Sequence, residues 1–286
     1  DEIRSRGLGD VYKRQSIGGK KNKFSFYTFY NHKRGDGFRN NSNYKSNNVY
    51  VHLKKNLSNK SELSGEVTYM NYLAKQAGGL SDRMFINNPL QSNRSRNWFE
   101  LDWLLYNFKF KHRFNEKTNL SFNLFGLDAE RNTVGFRTNR VDQVDPLTER
   151  DLIRGNFNNH GLELKVLRKY QINEKKGTFV LGGKYYRSKS LSKQGPGSEG
   201  SDADFNIYLD EFPNYSNQSN YIYPNKNFAF FGENVFYINE RLSFTPGFRV
   251  ENIVTKSNGN YKKINLDGAG NVTVSYTHLR AHETVS

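Results

Sequence analysis

Five arginines stand where the chain is least regular, and their side chains pose its first chemical question. Arg94 and Arg96 precede Trp98, Arg137 and Arg140 follow Phe136, and Arg187 closes a predicted strand. A guanidinium is a planar fork of donors that grips a carboxylate or phosphate through paired bonds, so several around one opening would hold a polyanion. Any one of them alone is more simply a solvated loop charge. Arg249 and Glu251, close together in an alternating stretch, share a face and read as an ion pair lining a wall. Other chemistry finds little material. Zero cysteines remove disulfides, thiolate metal sites and cysteine nucleophiles together. His32, His52, His112 and His160 lack metal-ligand spacing, and Asp202, Asp204 and Asp210 lack the ordered loop and closing glutamate that calcium needs. Gly18-Gly19, Gly78-Gly79 and Gly182-Gly183 match no phosphate-binding loop or dinucleotide fingerprint. No Ser and His pairing stands out as nucleophile and base, so neither an enzyme nor a resident cofactor or metal is expected.

The elements that must position these side chains are strands. Apolar residues make up 35% of the chain and aromatics 15%, with 22 Phe and 18 Tyr, so the apolar content sits in strand formers rather than helix formers. No apolar run approaches the roughly 18 residues of a helical membrane span, yet a barrel span stays open because alternation hides its hydrophobicity. The clearest stretch is 227–254. There Leu242, Phe244, Phe248 and Val250 alternate with Ser243, Thr245, Gly247, Arg249 and Glu251, after a tight turn predicted at Asn239-Glu240. A long strand, greasy on one face and polar on the other, suits a wall between lipid and a wet lumen.

Similar strands are predicted over 24–30, 49–54, 62–74, 98–114, 120–134, 157–172 and 178–190. In the fourth, Phe99, Leu101 and Trp103 share one face, and Tyr106, Phe108 and Phe110 the other, a phase change that predicts a β-bulge near Leu104 and Leu105. The connections alternate long and short, the short ones built from Asn, Lys, Glu and Ser. An antiparallel meander places every second connection at the same end, so one rim has tight turns and the other large loops, as in outer-membrane barrels. The expected fold class is all-β, an antiparallel up-and-down meander forming a partial barrel of about 9 to 10 strands.

Residues 1–15 and 274–286 lack this alternation and closely resemble translated sequencing-adapter read-through. They are set aside as non-native tails, leaving 16–273 as a barrel fragment. The net charge of +15 speaks to partners rather than fold. Aromatics lie on strands and charge mostly in loops, which disfavours nucleic acid.

Four segments carry a resemblance: Asn97-Trp98-Phe99-Glu100, Phe125-Gly126-Leu127-Asp128-Ala129-Glu130-Arg131-Asn132, Phe231-Gly232-Glu233-Asn234 and above all Phe244-Thr245-Pro246-Gly247-Phe248-Arg249-Val250-Glu251. On these the interior resembles the barrel of a TonB-dependent outer-membrane receptor, most like the iron(III) dicitrate branch of Bacteroidetes-type bacteria. The resemblance implies a place in the bacterial outer membrane, among lipid and lipopolysaccharide, and uptake of a ferric chelate with no bond made or broken. It also implies coupling to the TonB-ExbB-ExbD system through a plug domain, for which no segment is found here. No family motif fixes Arg94, Arg96, Arg137, Arg140 and Arg187; with the long connections outward they would surround the mouth, where citrate carboxylates or lipopolysaccharide phosphates could meet them. Arg249 and Glu251 would be a structural pair in the lumen. The same wall would serve a siderophore, haem, cobalamin or glycan. An outer-membrane barrel enzyme and a soluble carbohydrate-binding β-sandwich are the alternatives from other classes.

Overall fold

The computed structural model describes residues 11–138, 140–173, 175–266 and 272–277, with side chains as far as Lys262. They form one antiparallel sheet whose wall strands pair in chain order. Its strands are β1 (Val11–Lys21), β2 (Phe24–Gly35), β3 (Tyr44–Asn56), β4 (Ser61–Lys75), β5 (Trp98–Asn115), β6 (Thr118–Gly135), β7 (Asp151–Ile172), β8 (Lys175–Pro196), β9 (Asn217–Tyr237), β10 (Ser243–Phe244), β11 (Gly247–Thr255), β12 (Asn258–Leu266) and β13 (Val272–Thr277), with a short helix α1 (Asp82–Asn87) in one loop. The tight connections, β1–β2, β3–β4, β5–β6, β7–β8 and β9–β10, gather on one rim, and the loops 36–43, 76–97, 136–150 and 197–216 on the other. The turn that Asp267-Gly268-Ala269-Gly270-Asn271 predicts by its glycines lies outside the described residues.

Physically, β10, β11 and β12 are a single wall strand. All three lie along one edge of β9 in constant register, from Ser243 opposite Tyr237 to Lys263 opposite Asn217. The ladder lapses only where a proline lacks its N–H. Pro246 still accepts from the Asn234 amide at 2.9 Å, and Pro224 from the Lys256 amide at 3.0 Å. Among the described residues the meander thus has eleven wall strands, beside the nine or ten expected. The additions are β1 and β13, which run into the segments set aside as tails: residues 11–15 pair with 30–34, and 274–277 with 262–265. Backbone pairing asks little of side chains, so a segment without alternation can still extend a sheet.

Two local expectations are corrected. The β9–β10 turn holds three residues, Asn239, Glu240 and Arg241, closed by the Ile238 amide on the Leu242 carbonyl at 3.0 Å, with the Asn239 side chain accepting from the Arg241 amide at 2.9 Å. No bulge occurs near Leu104 and Leu105, where β5 stays in register with both neighbours; its register shifts only between Arg113 and Asn115.

The phase change in β5 has a different origin, because each face of the wall changes character halfway along. Two hollows, of about 600 and 510 Å3, open on the face that carries Glu66, Asn107, Lys165 and Arg249; this is the inner face. Near the tight turns the outer face is an exposed apolar belt that includes Leu63, Phe108, Leu124, Leu164, Leu181, Phe230 and Phe248. Toward the loops it carries Asp102, Asp128, Glu130, Arg154, Arg187 and Lys226, while Phe99, Leu101, Trp103 and Phe157 line the inner face. The strand never flips; its surroundings do.

The belt also crosses the strands obliquely. Its loop-side edge lies at Tyr69 in β4, Leu104 in β5, Leu124 in β6, Leu162 in β7, Tyr185 in β8, Phe228 in β9 and Val250 in β11. The chain of direct cross-strand partners starting at Tyr69 runs through Leu104, Asp128, Asn158, Lys189 and Pro224 to the level of Lys256, well past Val250. Six residues at ~3.3 Å against six strand spacings of ~4.8 Å is a slope of roughly 35°, the tilt that barrel closure imposes. Glycines in the wall lie under the ring of the residue directly opposite, Gly65 under Phe108 and Gly126 under Tyr106, where a Cβ would collide with the ring.

Candidate functional site

Three long loops meet at the rim opposite the tight turns, and arginines hold them together. Arg96, only 5% exposed, grips Asp145 with two arms of its fork, Nε to Oδ2 at 3.0 Å and Nη2 to Oδ1 at 2.5 Å. It also donates to the carbonyls of Thr148 at 3.0 Å and Glu199 at 2.8 Å. Arg150 is fully buried and donates to the carbonyls of Ser198, Arg96 and Asp202 at 3.0, 3.2 and 2.6 Å, and to the Ser198 hydroxyl. Arg94 bonds the Asn93 and Gln143 carbonyls and lies 5.0 Å from the Phe136 ring. Loops 76–97, 136–150 and 197–216 are thereby cross-linked into a cap.

The cap's electrostatics follow from this burial. Burial pushes the Asp145 carboxyl up, but the Arg96 fork and the Leu147 amide outweigh it and hold the group below the usual carboxylate range. Burial pulls the Arg150 pKa down. A second knot forms on Asp151 at the loop end of β7, which accepts from Arg137 at 2.8 Å, Gln194 at 3.0 Å and the Tyr215 hydroxyl at 2.8 Å. Burial first, and then the Asp151 charge, push the Tyr215 phenol up.

The five arginines singled out in the sequence therefore do not form one ring. Arg94 and Arg96 are buried fastenings of the cap. Arg137 is half-exposed but tied to Asp151, and Arg140 is exposed, 3.4 Å from Asp142. Arg187 does not end its strand, since β8 continues to Pro196; it projects from the outer face, directly opposite His160 and Lys226. Arg249 and Glu251 do pair on the inner face, with Nε to Oε1 at 2.9 Å and the guanidinium 5.5 Å from the Phe231 ring. Sequence reasoning missed Arg150 and Asp151. Their only signal is adjacency of opposite charges at the foot of an alternating stretch.

Below the cap, the inner face presents aromatic surface. Tyr72 meets Phe99 edge-on at 6.1 Å, Tyr44 stacks beside Tyr72 at 6.3 Å, and Arg131 lies over the Phe157 ring at 5.8 Å. The Trp103 indole N–H is buried there without a partner. Further toward the turns, the smaller hollow contains Glu66, which accepts from the Tyr50 hydroxyl and the Asn107 amide, both at 2.9 Å. Aromatic faces beside a guanidinium can hold a planar ligand by stacking and cation–π attraction. Among the described residues, no group of three or more His, Asp or Glu side chains gathers to hold a metal ion.

No family model and no curated protein sequence matches the chain. Solved structures do. The ferric citrate transporter FecA in its unliganded form superposes at a TM-score of 0.73 with 15% identity, over 91% of this chain and 38% of that one. The chain has the fold of a TonB-dependent outer-membrane receptor barrel. The ferripyoverdine receptor of the outer membrane of Pseudomonas aeruginosa, bound to ferripyoverdine, matches at 0.66 with 11% identity, over 95% of this chain and 37% of that one. The ferric-catecholate import receptor Fiu from E. coli K12, in its open form, matches at 0.63 with 8% identity, over 96% and 49%. The chain thus spans between about a third and a half of the receptors it resembles.

Proposed function

We propose that this chain is part of the wall of an outer-membrane receptor that takes up a ferric chelate. The observation that carries the reading is the oblique apolar belt on the outer face backed by a charged inner face, an arrangement that makes sense only with lipid on one side and water on the other. The described wall residues bind, orient and shield; the work of transport belongs to a plug in the remainder of the protein, driven by the TonB-ExbB-ExbD system. Fractionation tests the placement: a chain that remains in solution without detergent overturns it.

For cargo, a dicitrate-like chelate is supported by Arg137 and Arg140, the two candidate arginines that reach the cap surface. The aromatic inner surface supports a second reading, an aryl-bearing chelate stacked near Trp103 and Phe157. Calorimetry on the complete receptor separates them. Citrate as cargo predicts that Arg137→Gln with Arg140→Gln weakens ferric citrate about tenfold, the loss of ~1.4 kcal/mol, while Trp103→Ala leaves it unchanged. The reverse pattern with a ferric catecholate selects the aryl chelate.

A further inference from the structure

We infer that the inner face carries an anion site at the turn-side rim, the hollow of about 600 Å3 in which Lys23, Lys60, Lys111, Arg113 and Lys165 surround a small ligand bearing several carboxylates. The inference rests on the uptake reading above and gives an anionic cargo a second stopping point, at the rim opposite Arg137 and Arg140. Strand register builds its floor. Direct cross-strand partners run Lys111, Ser121, Lys165 in one row and Arg113, Asn119, Leu167, Val180 in the next, two residues nearer the turns. Neighbouring strands lie about 4.8 Å apart, so Lys111 and Lys165 stand roughly 10 Å from each other with the Ser121 hydroxyl between them. The β3–β4 turn closes one side: Arg113 donates to the Asn59 carbonyl at 3.1 Å and Lys60 to the Phe114 carbonyl at 3.3 Å, which ties the turn to the end of β5. Lys23 enters from the β1–β2 turn, where its carbonyl accepts from the Asn56 amide at 2.8 Å.

The charges around this hollow do not balance. One carboxylate lines it, Glu62, which faces Lys111 across the strands but is held by Lys54 at 2.6 Å. Lys165 is held by Glu163 at 2.6 Å. Lys23, Lys60, Lys111 and Arg113 form no ion pair with a described carboxylate. Cations gathered in a concave, low-dielectric wall focus their field into it, and an anion that enters exchanges their mutual repulsion for charge-assisted bonds. The volume is that of a small-molecule site. Lys109 and Lys184 stand in the next row toward the cap, on either side of the Glu163 that Lys165 already holds, so positive charge continues along the inner face from below the aromatic surface down to the hollow.

The test titrates ferric citrate, whose iron quenches a nearby dye, into the whole chain in detergent micelles. Because the chain has no cysteine, Leu57→Cys beside the hollow and Val144→Cys in the cap each take a single label. Quenching at Leu57 is expected to saturate, and Lys111→Gln with Lys165→Gln to raise its midpoint about tenfold while the response at Val144 keeps its own. Lys111→Arg with Lys165→Arg keeps the charges and should retain the midpoint. Lys169→Gln with Lys176→Gln removes the same charge from the same rim outside the hollow and should leave it unchanged. Equal shifts in the two Gln pairs would overturn the site in favour of general attraction to a basic rim. So would relief of quenching by inorganic phosphate at equal concentration, which marks a free-anion site, and so would a complete receptor whose Leu57 label ignores ferric citrate, which assigns the hollow to the plug. A silent Leu57 beside a responsive Val144 refutes this site alone; a chain that never enters micelles refutes the wall reading beneath it.

Discussion

The turn-side and loop-side halves of this wall are built from the same strands yet solve opposite problems. On the turn side the outer face is bare hydrocarbon and the inner face holds Glu66, Lys109, Glu163 and Arg249. On the loop side the outer face is charged, and the inner face gathers Phe99, Trp103 and Phe157 under a cap fastened by buried guanidiniums. Stability in the first half comes from matching a surrounding solvent, and in the second from internal polar bonds that exclude solvent. Substitutions should therefore obey different rules in the two halves.

The largest effect is expected in the cap. Arg96→Ala would orphan the Asp145 carboxylate and two carbonyls, a local loss of roughly 3–5 kcal/mol. Hydrogen exchange should show loops 136–150 and 197–216 opening while β3 to β6 near the turns keep their protection. Uniform loss of protection would erase the distinction between the halves. Next comes a charge on the belt. Leu164→Arg should cost about 2–4 kcal/mol on folding into vesicles, whereas Asn156→Arg, on the outer face of the same strand above the belt, should cost under about 1 kcal/mol. Similar costs at both positions would contradict the placement of the belt edge.

A smaller contrast concerns shape. Gly126→Ala drives a methyl into the Tyr106 ring and should destabilise by about 1–3 kcal/mol. Gly183→Ala meets only the Ala229 carbonyl at 3.8 Å and should stay within about 0.5 kcal/mol. Folding midpoints in urea would rank the two.

The smallest effect is that of pH on the cap. Asp145 and Asp204 are both held below the ordinary range; at each, burial works the other way but is outweighed, by Arg96 and Leu147 at the first and by Tyr208, Asn206 and Ser198 at the second. Their contribution is present above the unfolded carboxyl pKa of about 3.9 and is lost as pH falls through the lower folded values. Tyr215, raised, contributes below the unfolded phenol pKa of about 10, and that contribution is lost as pH rises toward its folded value. Trp98, whose indole N–H bonds the Ser201 carbonyl at 2.8 Å, reports on the cap. Its fluorescence in a Trp103→Phe background should be flat between those limits and change beyond both.

Much of the wall is readable from residue order, because between Phe24 and Val254 the belt imposes a period of two on every strand. The strand ends are not. Above the belt, residues 151–156, 191–196 and 217–220 face water or cap on both sides and carry no alternation, so they read as loop although they pair. The bulge expected in β5 came from assuming that one face stays apolar along its whole length, when Phe99 and Phe108 answer to different surroundings. Arginines as potential anion grips are visible in the sequence, but their partners are not. Arg96 meets Glu199 across 103 residues of chain, and nothing local to either predicts the meeting.

The register along β9 stays constant through two prolines that each delete a donor, so the pairing of the wall does not hang on any single backbone bond. Such a structure is written in an alphabet of two letters, greasy and wet, repeated with high redundancy. Nearly every letter can be respelled over evolutionary time without changing which strand lies beside which. The descent of such a protein is then conserved in its geometry long after it has faded from its residues, and the few positions that resist respelling, such as a glycine beneath a tyrosine or an arginine inside a cap, are where ancestry would be read last.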